Sequence, residues 1–181
     1  SLLQSGFFDS GPAWTLCPVL NPDGLANKTR ENAAGIDLNR EYRNPTEGEV
    51  IAHLNFLEKR GEFDLTICLH EDWESTGFYL YELTHKKRIP LGSEIIQAVS
   101  QTDPIESSEL IDGFVAENGI ITPKENLEER ELWPEALTLI SSHTEHSCTL
   151  ESPSSATLAT RIRMLTTACK VACRITCDES L

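Results

Sequence analysis

What this chain lacks narrows what it can be. No apolar run reaches the roughly 20 residues that a membrane-spanning helix needs, and there is no internal repeat and no low-complexity segment. Basic residues are scarce: 15 Lys and Arg stand against 29 Asp and Glu, a formal charge of -14. That balance argues against nucleic acid or an anionic membrane as the main partner. It leaves room for a small anionic substrate, because binding depends on the local field around individual arginines. No signal peptide is visible, and the chain starts at Ser1 rather than Met. The six cysteines lack the short paired spacing of a structural zinc site. Cys17, Cys68 and Cys148 fall in expected strands, where they act as small buried residues. Cys169, Cys173 and Cys177 recur every four residues and form one helical stripe, read as packing rather than as a metal or redox site. Such cysteines suit a reducing compartment, and the expected localisation is cytoplasmic.

What is present is an ordinary globular composition, 39% hydrophobic and 24% charged. A chain of 181 residues reads as a single domain, 1–181, long enough to bury a sizeable core. Trp14 to Leu20 predicts a buried strand that stops at the turn Asn21-Pro22-Asp23-Gly24. A polar loop without period follows from Ala26 to Arg40. Thr46-Glu47-Gly48-Glu49 has the form of a capping box, with Val50, Ile51, Leu54 and Leu57 giving the helical face behind it. Phe63 to His70 and Phe78 to Leu83 predict strands, and Leu91 to Ser100 a short helix. Gln101 to Arg130 has no clear assignment and suits a surface excursion near a substrate entrance. Leu137 to Ser141 and His146 to Glu151 predict two more strands. A final helix is capped by Ser154 or Ser155, with Leu158, Ile162 and Leu165 on one face. Strands alternating with helices imply an α/β fold: a mixed, largely parallel sheet with helices on both faces. Sites in such sheets form at the carboxyl ends of strands, where Asn21, His70 and Glu151 are expected.

Five residues carry the candidate chemistry. His70 ends an apolar strand, and a neutral imidazole there is a potential zinc ligand, with Glu71 and Asp72 available to orient it. Glu151 ends another strand before Ser152-Pro153. Burial raises the pKa of such a carboxylate toward the range useful for a general base. Asn39 and Arg40 together make a forked donor set that matches a carboxylate. Arg30 is placed to stabilise an oxyanion. His143-Thr144-Glu145-His146 is tempting as a metal motif, but on a strand its two histidines point to opposite faces, so it is read as non-catalytic.

These residues resemble the zinc carboxypeptidase family, nearest the bacterial branch of murein-peptide amidases and small carboxypeptidases. The likeness runs from Asn21-Pro22-Asp23-Gly24 through Thr29-Arg30-Glu31-Asn32 and Gly35 to Arg40, then to His70 and Glu151. It implies Arg30 as oxyanion stabiliser, Asn39 and Arg40 as the clamp on the substrate's free carboxylate, His70 as one ligand of a zinc ion, and Glu151 as the base that activates water. Two features of the family are absent. Its other two zinc ligands come from a His-x-x-Glu motif upstream of the Asn-Pro-Asp-Gly turn, and the residues before Asn21 contain no histidine. Its tyrosine some twenty residues before the glutamate has no counterpart either, since Glu129 and Arg130 stand near that point. The expectation is a domain lacking its N-terminal strands and first two ligands, with weak or no zinc binding of its own. The implied activity is hydrolysis of a peptide or amide bond beside a free carboxylate. The alternatives are a deacylase of the aspartoacylase or succinylglutamate-desuccinylase type, acting on an acylated amino acid, and a metal-free anion-binding module.

Overall fold

A computed structural model describes residues 2, 4–9, 11–85, 88–123 and 129–179. Residues 124–128, within the unassigned stretch, lie outside the described residues. Five α-helices are described: α1 (Pro22–Asn27), α2 (Gly48–Glu58), α3 (Gly92–Ser100), α4 (Glu135–Ser142) and α5 (Leu158–Glu179). Six strands, β1 (Thr66–Asp72), β2 (Tyr79–Thr84), β3 (Leu110–Ile111), β4 (Phe114–Glu117), β5 (Ile120–Ile121) and β6 (His146–Pro153), form one sheet in the order β1-β6-β2-β5-β4-β3. The expected mixed α/β architecture is observed. β6 runs parallel to β1 and antiparallel to β2, and β2 runs parallel to β5.

Side chains alternate across a strand, so the register sorts the sheet into two faces. One face puts Leu80, Cys148 and Leu150 under Ile95 and Val99 of α3 and Met164, Ala168 and Ala172 of α5. The other sets Cys68 against Leu57 of α2 and Leu139 of α4. Helices therefore cover both faces. The second face also carries the row His70, Glu151 and Tyr79, because β1 and β6 pair His70 with Glu151 while β6 and β2 pair Glu151 with Tyr79.

Several local expectations are corrected. Trp14 to Leu20 forms no strand; it has no ladder partner, and Leu16, Cys17 and Val19 are exposed. Asn21 to Gly24 is a helix start rather than a free turn. Pro22 sits at the first helical position, where its missing N–H costs nothing, and the Asn21 side chain accepts from Gly24 N. Gly24 is obligatory there, because an added Cβ meets the Thr29 carbonyl oxygen at 2.7 Å. The capping box does not form: Glu47 is the cap residue and makes no side-chain cap bond, while the Thr46 hydroxyl donates to Glu41. On α2, Ile51 is exposed and His53 is buried instead. Leu137 to Ser141 is helix, not strand, inside α4. A short apolar run does not separate the two, and Pro134 in the extended region opens the helix. At α5 the cap is Thr157, whose hydroxyl accepts from Thr160 N. Its inward stripe is Met164, Ala168 and Ala172, whereas Leu158 and Ile162 face solvent. Small residues on that stripe let α5 approach α3 closely.

The unassigned stretch holds two tight hairpins. Asp112-Gly113 joins β3 to β4, and Asn118-Gly119 joins β4 to β5, with positive φ at all four residues. Both are the primed turns that suit the strand twist.

Candidate active-site cleft

The polar loop before Arg40 is ordered by its own amides and acids. The Asn21 Nδ2 donates to the Arg30 carbonyl, and the Asn32 Oδ1 accepts from Ala34 N and Ile36 N. Gly35, at φ +76, closes that bend. Asp37 then does two jobs. Its Oδ1 accepts from Asn39 N and caps the single turn Leu38–Arg40, and its Oδ2 takes the Arg30 Nε at 2.8 Å. Leu38, packed with Tyr42 and Val50, anchors the segment. The Asn39 Oδ1 accepts from Glu135 N at the start of α4, at 2.8 Å, which leaves its Nδ2 as a donor. The Arg40 guanidinium bonds only the Asn39 carbonyl among the described residues.

All five residues singled out in the sequence, Arg30, Asn39, Arg40, His70 and Glu151, line one cleft of about 650 Å³. His70 and Glu151 are not at strand ends as expected. Each lies two residues before the last residue of its strand, β1 or β6. Asn21 is at no strand end. Burial pushes the Glu151 carboxyl up to about 8; Asp72 and Asp112 add to the rise, and Arg30 opposes it. Burial, then the charges of Arg30 and Arg40, hold the His70 imidazole below its ordinary value. The cleft therefore combines a carboxyl poised near neutrality with a neutral imidazole, beside two guanidinium groups. That is a usable arrangement for proton transfer and anion binding.

Glu71 and Asp72 do not orient His70. Glu71 pairs with Arg161, and Asp72 accepts from the Tyr79 hydroxyl and from Glu74 N. Nor do three metal donors converge in the cleft among the described residues. Among the described residues the only such cluster is Glu82, His146 and Cys148. It lies beneath the opposite, α3-covered face, since Cys148 packs there and pairs in register with Glu82. Glu82 and His146 already satisfy one another. Glu82 accepts from His146 Nε2 at 2.7 Å and from Leu91 N and Gly92 N at the start of α3. His143 is the cap residue of α4, so the histidine-rich segment chelates nothing as a unit. One imidazole does not make a zinc site, and the residues present do not fit a resident ion at His70.

Sequence reasoning missed Asp37, Tyr79, Tyr81 and Asp112 in the cleft. Asp37 was legible as the cap type before Asn39, and Asp112 as half of a hairpin dipeptide. Arg130 also lines the cleft, with its guanidinium 5.5 Å from the Phe114 ring centroid.

No protein-family model and no curated protein sequence matches the chain. Solved structures do match. A protein described as a "putative metallopeptidase" from Shewanella amazonensis superposes with TM-score 0.73 at 22% identity, over 88% of this chain and 62% of that one. Its counterpart from Shewanella baltica gives 0.72 at 19%, with the same coverage. A metallo-carboxypeptidase from Burkholderia cenocepacia gives 0.57 at 21%, over 91% of this chain and 44% of its own. At these identities the likeness is one of fold. The chain spans 62% of the length of the first two neighbours.

Proposed function

We propose that the chain is the larger part of a metallocarboxypeptidase-type hydrolase, a single domain that cleaves a peptide or amide bond next to a free carboxylate. The observation that carries this reading is the convergence of Arg30, Asn39, Arg40, His70 and Glu151 on one cleft. In the proposed scheme Asn39 and Arg40 grip the terminal carboxylate, Arg40 as the unpaired fork. Arg30, steadied by Asp37, faces the negative charge that develops on the scissile carbonyl oxygen. Glu151 takes the proton of the attacking water and returns it to the leaving nitrogen. His70 supplies a neutral imidazole. A zinc ion, where bound, would polarise the carbonyl and the water. Its other donors have to come from outside the described residues. The neighbours' printed descriptions as metallopeptidases and carboxypeptidases are consistent with this scheme.

Two outcomes follow. The isolated chain should lose zinc on dialysis, because one imidazole gives neither the donor count nor the geometry of a closed site. Stoichiometric zinc by metal analysis after dialysis would contradict this. His146→Ala would then tell whether the ion sits at the Glu82 cluster. Arg40→Ala should weaken binding of a free-acid peptide by about tenfold or more, the loss of one charge-assisted contact of roughly 1.5–3 kcal/mol. It should leave the matched C-terminal amide unchanged. Equal losses on acid and amide would remove the carboxylate clamp from the scheme and favour the deacylase or anion-module alternatives.

A further inference from the structure

Behind the clamp lies a buried polar chain that the scheme above leaves unused, and the inference from it rests on the carboxylate-binding reading. One contact turns the Asn39 amide: its Oδ1 accepts from Glu135 N at 2.8 Å, which leaves Nδ2 as the donor. Pro134, Ala136 and Leu137 line the cleft, whereas the Glu135 side chain points away from it. That side chain is 15% exposed, and its Oε1 lies 3.8 Å from His53 Nδ1 on α2. The Tyr42 hydroxyl is 2.9 Å from the same nitrogen, and both rings are buried. Tyr42 follows Arg40 by two residues, and its N donates to the Trp133 carbonyl, two residues before Glu135. Both ends of the chain Tyr42–His53–Glu135 are therefore backbone neighbours of the clamp.

One nitrogen cannot serve both oxygens alike. When His53 Nδ1 accepts from Tyr42 it carries no proton, and a carboxylate beside its lone pair is repelled while a neutral carboxyl is not. When Glu135 is ionised, Nδ1 needs a proton to face it, and the Tyr42 hydroxyl loses its acceptor. Burial favours the first state. It pushes the Glu135 carboxyl up to about 7, a rise that the Cys68 thiol opposes. Burial, and then the charge of His143, also hold the His53 imidazole below its ordinary value. The groups that face Glu135 are His53, Tyr42, Cys68 of β1 and Cys17, with Arg60 facing Cys17. Among the described residues no lysine or arginine pairs with Glu135.

We propose that Glu135 is a positioning residue for the clamp: uncharged, with Tyr42 bonded to His53, it holds the Asn39 amide as a donor, and ionised it sets a negative charge behind Asn39 and Arg40 that releases the substrate's carboxylate. Binding of a free carboxylate is thereby coupled to proton uptake at Glu135.

The test is an NMR titration of the protein with acetyl-glycyl-alanine and with its C-terminal amide, from about pH 6 to about pH 8.5. In the parent the preference for the acid should fall across that range. Glu151 also ionises there, but it is common to every variant, so comparison with Glu135→Gln isolates Glu135. Glutamine matches the neutral carboxyl in size and stays uncharged. This variant should bind the acid within about twofold of the parent at the low end and about threefold to tenfold tighter at the high end, the scale of one partly screened charge behind the site. The amide should bind both proteins alike. A residue that only supports the fold would give a loss or no change, never a gain confined to high pH. Tyr42→Phe supplies a second measurement. It frees Nδ1 to carry the proton that faces the carboxylate, so the fall should set in at lower pH than in the parent. Equal affinity of parent and Glu135→Gln at high pH, or weaker binding by Glu135→Gln throughout, overturns the inference and leaves the clamp standing. An unchanged midpoint in Tyr42→Phe overturns the buried chain as the coupling. A parent that binds the acid no tighter than the amide at any pH removes the carboxylate reading and this inference with it.

Discussion

Glu151→Gln is expected to lower turnover by about 10²–10⁴-fold in a longer form that supplies the further metal donors, the span typical for removal of a general base. The same change in the present chain should leave binding of a free-acid peptide within about twofold, because the proposed clamp lies with Asn39 and Arg40. Glutamine keeps the size of the side chain and cannot take a proton from water. The environment makes the assignment specific. Burial lifts the Glu151 carboxyl to about 8, and the Arg30 guanidinium pulls it back. Glu106, by contrast, also lines the cleft, yet hydrogen bonds from Ser108 and Thr76 hold it at about 2. Of the two, Glu151 alone is poised to exchange a proton near neutral pH. Steady-state rates on a free-acid peptide, paired with a binding isotherm for each variant, decide the matter. Turnover within tenfold of the parent would assign the base elsewhere.

The arginine-bearing side of the cleft was legible in the sequence because its residues are local. Asn21 to Arg40 is one segment whose bends are written in Asn, Gly and Asp, and the hydrogen bonds that shape those bends lie within it. The strands bearing His70 and Glu151 were legible as apolar runs, and the register brings those two residues side by side. The wall formed by Tyr79 and Tyr81 with Asp72 and Asp112 was not legible. It depends on the antiparallel pairing of β2 with β6 and on a hairpin that folds back beside it, and both are long-range facts. Its one local clue, Asp112-Gly113 followed by Asn118-Gly119, is a pair of hairpin signals inside a stretch whose acids and prolines obscured them. The miss at α4 has another cause. Leu137 to Ser141 is five residues long, too short for its apolar pattern to tell period 2 from period 3.6. The miss at Trp14 to Leu20 is a matter of pairing: an apolar run becomes a strand only where a neighbour completes its ladder.

The sheet's opposite face should give the largest effect on stability. Glu82 is almost fully buried, as is His146, and the pair ties β2 and β6 to the start of α3. His146→Ala leaves a buried carboxylate without its ring partner and a void beside Cys148. A loss of about 3–5 kcal/mol is expected, the cost of breaking a buried pair by removing one member. Glu82→Gln should cost less, about 1–3 kcal/mol, because the amide oxygen can still accept from Leu91 N while its NH₂ group faces the Gly92 donor. The pH dependence separates a charged latch from mere packing. Burial by itself would raise the Glu82 carboxyl, but the bonds from His146, Leu91 and Gly92 outweigh it and hold the group below its ordinary 4.5. A carboxylate whose pKa is depressed on folding contributes stability that is fully present above the unfolded value, and that stability is lost as pH falls through the folded value. The difference between the parent and Glu82→Gln should therefore be constant above about pH 5 and shrink on further acidification. Urea unfolding of both proteins across that range measures it. Parallel stability profiles down to the acid transition would mean that the Glu82 charge does no work in the fold, and that α3 is held by Leu91, Ile95 and Val99 alone.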